Sequence, residues 1–288
     1  MSPKIPGEVE NWLADSGCGE VTAVYPVGGG CINEGRRLVT AGGKSFFLKT
    51  NLAAPAEMFA REAEGLQALR AGAGPRAPEP LLWGETFLLL EDLGSASRER
   101  DYWPRFGRAL AALHARTQPR FGFEHDNYIG STPQPNPWNE DGYRFFGEQR
   151  LLFQARLASQ RGRLGQQGLR KVEAILQRLP EIVPVQPASL LHGDLWSGNA
   201  IAGPSGEPAV IDPAAYYGWA EADLAMTALF GAFPDSFYGA YLEVRPLSAG
   251  WRERFPVYNL YHLLNHLNLF GQSYLGEVLG VIEHCLRL

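Results

Sequence analysis

The chain has 288 residues, 45% apolar and 20% charged, the make-up of a globular protein long enough to bury a sizeable core in one large domain or two modest ones. Its 26 basic and 31 acidic residues leave a net charge of −5, which argues against a nucleic-acid partner. Three well-separated cysteines, Cys18, Cys31 and Cys285, with no CxxC pair, speak against a disulfide framework or zinc site, and no apolar run is as long as a membrane span.

The start, Met1 to Gly7, has no apolar h-region, so no signal peptide and a reducing cytoplasmic home are expected. Val21–Val27 reads as a strand and is followed by Gly28-Gly29-Gly30. Further strands are expected over 36–40 and 44–50, joined by the turn signal Ala41-Gly42-Gly43. Apolar spacing predicts a helix over 55–69, with Pro55 suited to its first turn. Strands follow at 81–83 and 86–90. Beyond Gly94 the texture turns helical, first over 103–116. Residues 119–142 are polar, rich in proline and aromatics, and without period; so long a loop in a compact domain usually serves a site. Helices are expected at 143–159, 166–179, 221–231, 249–270 and 272–286, interrupted by a strand-rich interval at 188–213. The expected fold is therefore α+β: an antiparallel-sheet lobe with one helix over 1–92, and a larger, mostly helical lobe over 93–288.

The most informative stretch is His192-Gly193-Asp194-Leu195-Trp196-Ser197-Gly198-Asn199, followed by a hairpin signal and Ile211-Asp212-Pro213. An H-x-D-x-x-x-x-N string with a second acid at a strand end suits phosphoryl transfer. One carboxylate, Asp194, would take the proton of an attacking hydroxyl. An amide and an acid, Asn199 and Asp212, would hold Mg2+ against the phosphates of ATP. Upstream, Gly28, Gly29, Gly30 and Cys31 lie between two expected strands, where backbone lacking Cβ atoms can approach phosphates. No GK[ST] follows, so this is not a Walker A loop. Lys49 stands in the apolar run Phe46-Phe47-Leu48-Lys49, and Glu62 on the next helix is a candidate partner, with Glu57 and Glu64 as rivals.

In this order the motifs resemble the fructosamine kinase (ketosamine-3-kinase) family, in the aminoglycoside phosphotransferase-like branch of the protein-kinase-like fold. The resemblance rests on GGGCIN (28–33), FFLKTN (46–51), MFAREAEGL (58–66), DNYIGSTPQPN (126–136), FFGEQRL (145–151), LLHGDLWSGN (190–199), DPAAYYG (212–218) and EADLAMTALFGAF (221–233). It implies a bilobal fold and ATP-dependent phosphorylation of the sugar 3-hydroxyl of a ketosamine, a step that leads to deglycation of small amines or proteins. It matches Asp194 to the base, Asn199 and Asp212 to metal ligands, Lys49 and Glu62 to the phosphate clamp, and Glu91 and Leu93 to the linker that meets adenine. Two departures stand out. Trp219-Ala220 occupies a place where the family often has a basic pair, and Pro213 follows the second acid where a movable activation segment would begin with Phe-Gly.

Other residues have two readings each. Trp196 would stack on the acceptor sugar or support its own loop. His262, Asn265, His266 and Asn268 share one late helix, and His266 and Asn268 are candidates for the acceptor pocket. His192 and Asp223 would brace the catalytic loop. Asp126, Asn127 and Gln134 would touch substrate or close the middle loop on itself. Cys31 would be an inert thiol or an oxidisable one that blocks ATP or pairs with a second chain. Rival functions are a kinase for another acceptor, aminoglycoside or choline-like, and a nucleotide-binding module without transfer. The expected assembly is a monomer or homodimer, with neither membrane nor nucleic acid as partner.

Overall fold

The computed structural model of the chain describes residues 5–28 and 32–288. Gly29, Gly30 and Cys31 lie outside the described residues. The chain opens with a helix absent from the sequence reading, α1 (Gly7–Asp15), which buries Val9 and Leu13, one turn apart. Strands β1 (Val21–Val27), β2 (Glu34–Thr40) and β3 (Ser45–Thr50) follow, then helix α2 (Met58–Arg70) and strands β4 (Pro80–Trp83) and β5 (Phe87–Glu91). They form a five-stranded antiparallel sheet in the order β1-β2-β3-β5-β4.

Period-two alternation in β5 shows how this sheet is sandwiched. Phe87 and Leu89 join Leu38, Leu48 and α1 in a small core. Leu88 and Leu90 face the other way and join Phe59 and Leu66 of α2 in the large core, which continues into the helical part of the chain. α2 is thus packed into the same hydrophobic unit as the helical part of the chain.

After the linker come α3 (Tyr102–His114) and the short strand β6 (Thr117–Gln118). The middle loop is not structureless, because β7 (Asn127–Ile129) and β8 (Thr132–Gln134) pair as a hairpin with Asn127 opposite Gln134. The helix expected over 143–159 is three pieces: α4 (Gly142–Phe146), a π-helical turn over Gly147–Leu152, and α5 (Phe153–Gln160). Helix α6 (Gln166–Ile182) leads to β9 (Ala188–Leu191), the hairpin β10 (Ala200–Ala202) and β11 (Pro208–Val210), and β12 (Tyr216–Gly218). β9 lies between β12 and β6 in a three-stranded sheet. Four helices close the chain: α7 (Ala220–Leu229), α8 (Asp235–Val244), α9 (Phe255–Phe270) and α10 (Leu275–Cys285). α9 starts at Phe255 rather than near 249, with Pro256 in its first turn, where a missing N–H costs nothing.

α8 was not expected, because its three aromatics and central Gly239 give it little helical propensity. Packing supplies the stability instead. At Gly107, α3 approaches α8 so closely that a Cβ there would collide with the Phe237 carbonyl oxygen and lie 2.9 Å from the Tyr241 amide nitrogen. Gly107→Ala is therefore expected to lower stability by about 2–3 kcal/mol through helix displacement, although Ala is the better helix former. Chemical denaturation measures this, and an unchanged midpoint would show that the two helices separate without cost.

Candidate active site

Strand β3 alternates so that Lys49 is carried inward, where only 8% of its side chain is exposed. A buried ammonium needs anionic partners. Glu62 of α2 supplies one and Asp212 the other, both paired with Lys49 Nζ. Burial alone would push the lysine toward its neutral form, but Asp212 and then Glu62 hold its pKa above the ordinary value, so it stays charged. The two carboxylates differ in setting. Glu62 is nearly enclosed, whereas 43% of the Asp212 side chain is exposed.

Asp212 is one of two described non-glycine residues with positive φ, at 56°. Asp tolerates this left-handed conformation better than most residues, at some cost. Its flanks are pinned to the loop that carries Asp194. Ile211 N–H donates to the Asn199 carbonyl (3.1 Å) and Ala214 N–H to the His192 carbonyl (2.9 Å). His192, fully buried, donates from Nε2 to the Ile211 carbonyl (2.9 Å), and its Nδ1 accepts from Asp194 N–H (3.3 Å). Gly193 is required here. Its φ is +82°, and a Cβ would collide with the Ala214 carbonyl oxygen.

Asp223 of α7 holds the same loop from behind, accepting from His192 N–H (2.7 Å) and Gly193 N–H (2.9 Å). Beneath it, His114 Nε2 donates to Asp223 (3.2 Å), and His114 Nδ1 accepts from the Tyr241 hydroxyl (2.9 Å). Burial pulls the Asp223 carboxyl upward, but the His114 bond, the His114 and His192 rings and the Gly193 amide hold it below the usual carboxylate range. Burial in turn keeps His114 neutral. Sequence reading missed His114 and Tyr241. Their bonding partners, Asp223 for His114 and His114 for Tyr241, are each more than a hundred residues away in the chain, and His114 reads as one more helix-face residue.

Among the described residues, no lysine or arginine pairs with Asp194. Asn199 Nδ2 donates to its carbonyl (2.8 Å) and to its Oδ2 (3.3 Å). Its Oδ1 lies 3.9 Å from Nδ1 of His262, a buried imidazole whose pKa is pushed down to about 3 by burial and then by His266. Burial, then the charges of Asp212 and Asp223, raise the Asp194 carboxyl to about 7, while the Asn199 bond opposes them. A carboxylate so poised can accept a proton from a hydroxyl near neutrality. Asn199 spends its NH2 on Asp194, which leaves its Oδ1 available as an oxygen ligand. With the open oxygen of Asp212, it matches the hard donors that Mg2+ prefers.

The remaining candidates are spread around this centre. Gly28 directly follows β1 and is exposed. On the linker, the Glu91 side chain pairs with Arg76 and its N–H with the Glu79 carbonyl, and Leu93 is buried. The Trp196 ring covers Gly198 and meets Phe230 edge-on, with centroids 6.2 Å apart. His266 packs against Phe230, Phe270 and Tyr274, and its Nδ1 has no partner among the described residues. Asn268 is not brought to this group. It is buried and donates to Gln154, because it lies on a different face of α9 from His262 and His266. Trp219 and Ala220 are buried in aromatic packing, so neither is presented to a substrate.

A profile of the fructosamine kinase family matches residues 9–288. A probable ketoamine kinase of Synechocystis is 45% identical over 267 residues, spanning 91% of this chain and 90% of that protein. The chloroplastic protein-ribulosamine 3-kinase of Arabidopsis thaliana is 40% identical over 294 residues, spanning 97% and 88%. The crystal structure of a fructosamine-3-kinase candidate from Thermobifida fusca is similar with a TM-score of 0.88 and 36% identity, covering 97% of this chain and 99% of that one. An aminoglycoside phosphotransferase complexed with gentamicin shares the fold, with a TM-score of 0.65 at 10% identity over 100% and 98% of the two chains. The bilobal, protein-kinase-like architecture expected from the motif order is the one observed.

The burial of these titratable groups sets a pH dependence. His114, His192, His262 (about 3) and His266 (about 4) have folded pKa values below the ordinary 6.5. Below about pH 6.5 the unfolded chain therefore binds more protons at these sites, and stability falls as pH drops toward 4, by up to about 1.4 kcal/mol per pH unit for each histidine. Asp194, raised to about 7, and Glu62, also raised by burial, have the opposite sign over this window and offset part of the loss. Denaturation midpoints at pH 7, 6 and 5 should decline, and His266→Phe should flatten the slope. A flat profile would mean that these imidazoles are protonated in the folded protein.

Proposed function

This chain belongs to the fructosamine kinase family, and from that premise we propose that it transfers the γ-phosphoryl group of ATP to the 3-hydroxyl of a sugar joined to an amine as a ketosamine. The observation that carries the reading is the joining of Lys49, Glu62 and Asp212 beside an Asp194 that lacks a cation. Residues 1–92 are the nucleotide lobe and 93–288 the acceptor lobe. ATP would lie under residues 28–31 and against Glu91 and Leu93, with Lys49 on its phosphates and Glu62 keeping Lys49 in place.

Asp194 orients the acceptor hydroxyl and takes its proton as the oxygen attacks phosphorus. The bond from phosphorus to the bridging oxygen breaks, and ADP leaves. Asn199 and Asp212 would hold Mg2+, which when bound neutralises phosphate charge. Trp196 and His266 border the acceptor side. The phosphorylated product is a ketosamine 3-phosphate, whose breakdown would free the amine. Small ketosamines and glycated protein amines both fit this chemistry, in a cytoplasmic setting. No helix among the described residues is long and apolar enough to cross a membrane.

Turnover should appear as ADP release on adding fructosamine or ribulosamine, with NMR placing phosphate on the third sugar carbon. Asp194→Asn should cut kcat by about 10²–10⁴-fold while ADP still binds. Lys49→Met should instead weaken nucleotide binding. Wild-type rates in the Asp194→Asn protein would remove Asp194 as the base.

A further inference from the structure

The segment DNYIGSTPQPN has no part in the chemistry above, yet its hairpin touches both halves of the phosphate site. We propose that the β7–β8 hairpin is the positioning element of that site, clamping α2 on one side and the chain after Asp212 on the other, so that the Lys49–Glu62–Asp212 group is held assembled without an activation segment.

Strand alternation divides the work within three residues. Asn127 points inward, is 5% exposed, and its Nδ2 donates to the Ala215 carbonyl (2.8 Å). Gln134, opposite it, donates from Nε2 to the Ala214 carbonyl (3.0 Å) and to Asn127 Oδ1 (2.7 Å), and accepts from the Tyr261 hydroxyl (2.7 Å). Asn136 completes the amide relay by donating to Asn127 Oδ1 (3.0 Å), and Arg150 of the π-helical turn donates to Asn136 Oδ1 (2.6 Å). The two carbonyls captured belong to the second and third residues after Asp212, so Pro213 and its neighbours cannot swing away unless buried amides lose their partners.

Between them, Tyr128 points the other way. Its hydroxyl donates to the Ala56 carbonyl (2.9 Å), just ahead of α2, and His125 Nδ1 bonds Glu64 on α2 (2.8 Å). At the hairpin tip, Gly130 has φ +61°, and a Cβ there would lie 2.9 Å from Leu269 Cδ1 and 3.8 Å from Ile32 Cδ1. The tip thus sits between α9 and the end of the glycine loop. Glu62 rides on the helix whose lead-in Tyr128 holds and whose Glu64 bonds His125, and Asp212 on the chain held by Asn127 and Gln134. One rigid hairpin fixes the distance between the two carboxylates that share Lys49.

The proposal rests on the phosphate-site reading, and nucleotide binding without acceptor tests it separately from the substrate assignment. Affinity for ADP would be titrated with Mg2+ and with EDTA in wild type, Tyr128→Phe and Asn127→Ala. Tyr128→Phe removes one surface-side hydrogen bond and should fold normally. It is expected to weaken Mg·ADP binding about threefold, and Asn127→Ala about tenfold or more, with ADP in EDTA changing less in both. In turnover, KM for ATP should rise while KM for the ketosamine stays level. Unchanged Mg·ADP affinity in both variants, or equal losses with and without Mg2+ together with a drop only in folded fraction, would overturn the positioning role.

Discussion

The structure depends on one buried cation shared by two acids. Lys49 comes from a strand, Glu62 from the helix beside it and Asp212 from a loop some 160 residues later, so their meeting closes the molecule around the phosphate site. Taking Lys49 and Glu62 out of water costs several kcal/mol each, and their mutual attraction, helped by the part-exposed Asp212, repays this only while the set is complete. Removing the lysine would leave two carboxylates facing each other in a low dielectric. The pairing is also unequal. Glu62 is enclosed and fixes the lysine, whereas Asp212 is open enough to accept a second cation. A site built this way is ready for a polyanion, because phosphates can take over the lysine's outward charge while Glu62 keeps its aim.

The same logic separates three aspartates that sit close together. Asp212 pairs with Lys49. Asp223 is ionised by the loop amides and the neutral His114 below it. Asp194 is given no cation and only an amide donor, and feels the other two as repulsion. Environment, not residue type, thus sets the three acids apart and suits them to the proposed roles of metal ligand, brace and base. The division of labour needs Asp223 to stay charged, and this is why the His114–Tyr241 pair under it matters to chemistry it never touches.

Much of this was legible in sequence where function is written in local spacing. Asp194, Asn199 and Asp212 lie within nineteen residues, joined by a hairpin, so their convergence follows from a turn and two short strands. Lys49 and Glu62 were readable because a lysine inside an apolar strand demands a partner. What stayed hidden depends on distant contacts. α1 and α8 are held by packing rather than propensity, and His114, Tyr241 and Arg150 look like ordinary helix residues until their partners arrive. Asn127 and Gln134 were ambiguous between substrate and loop. Their burial and their bonds to Ala214 and Ala215 show that they close the middle loop onto the active site.

Pro213 makes sense in that light. A left-handed Asp212 costs about 1–3 kcal/mol, and a chain free on either side would relax it. Here Ile211 and Ala214 are tied to the catalytic loop, and Ala214 and Ala215 to the middle hairpin, so the strain is spread over contacts that persist. Proline at the next position removes an amide that would need a partner and fixes its own φ, which suits a segment tied on both sides. An enzyme that switches must leave this stretch free to choose between states. Here the sequence puts the buried amides of Asn127 and Gln134 on that stretch, where a switching kinase would keep a free loop.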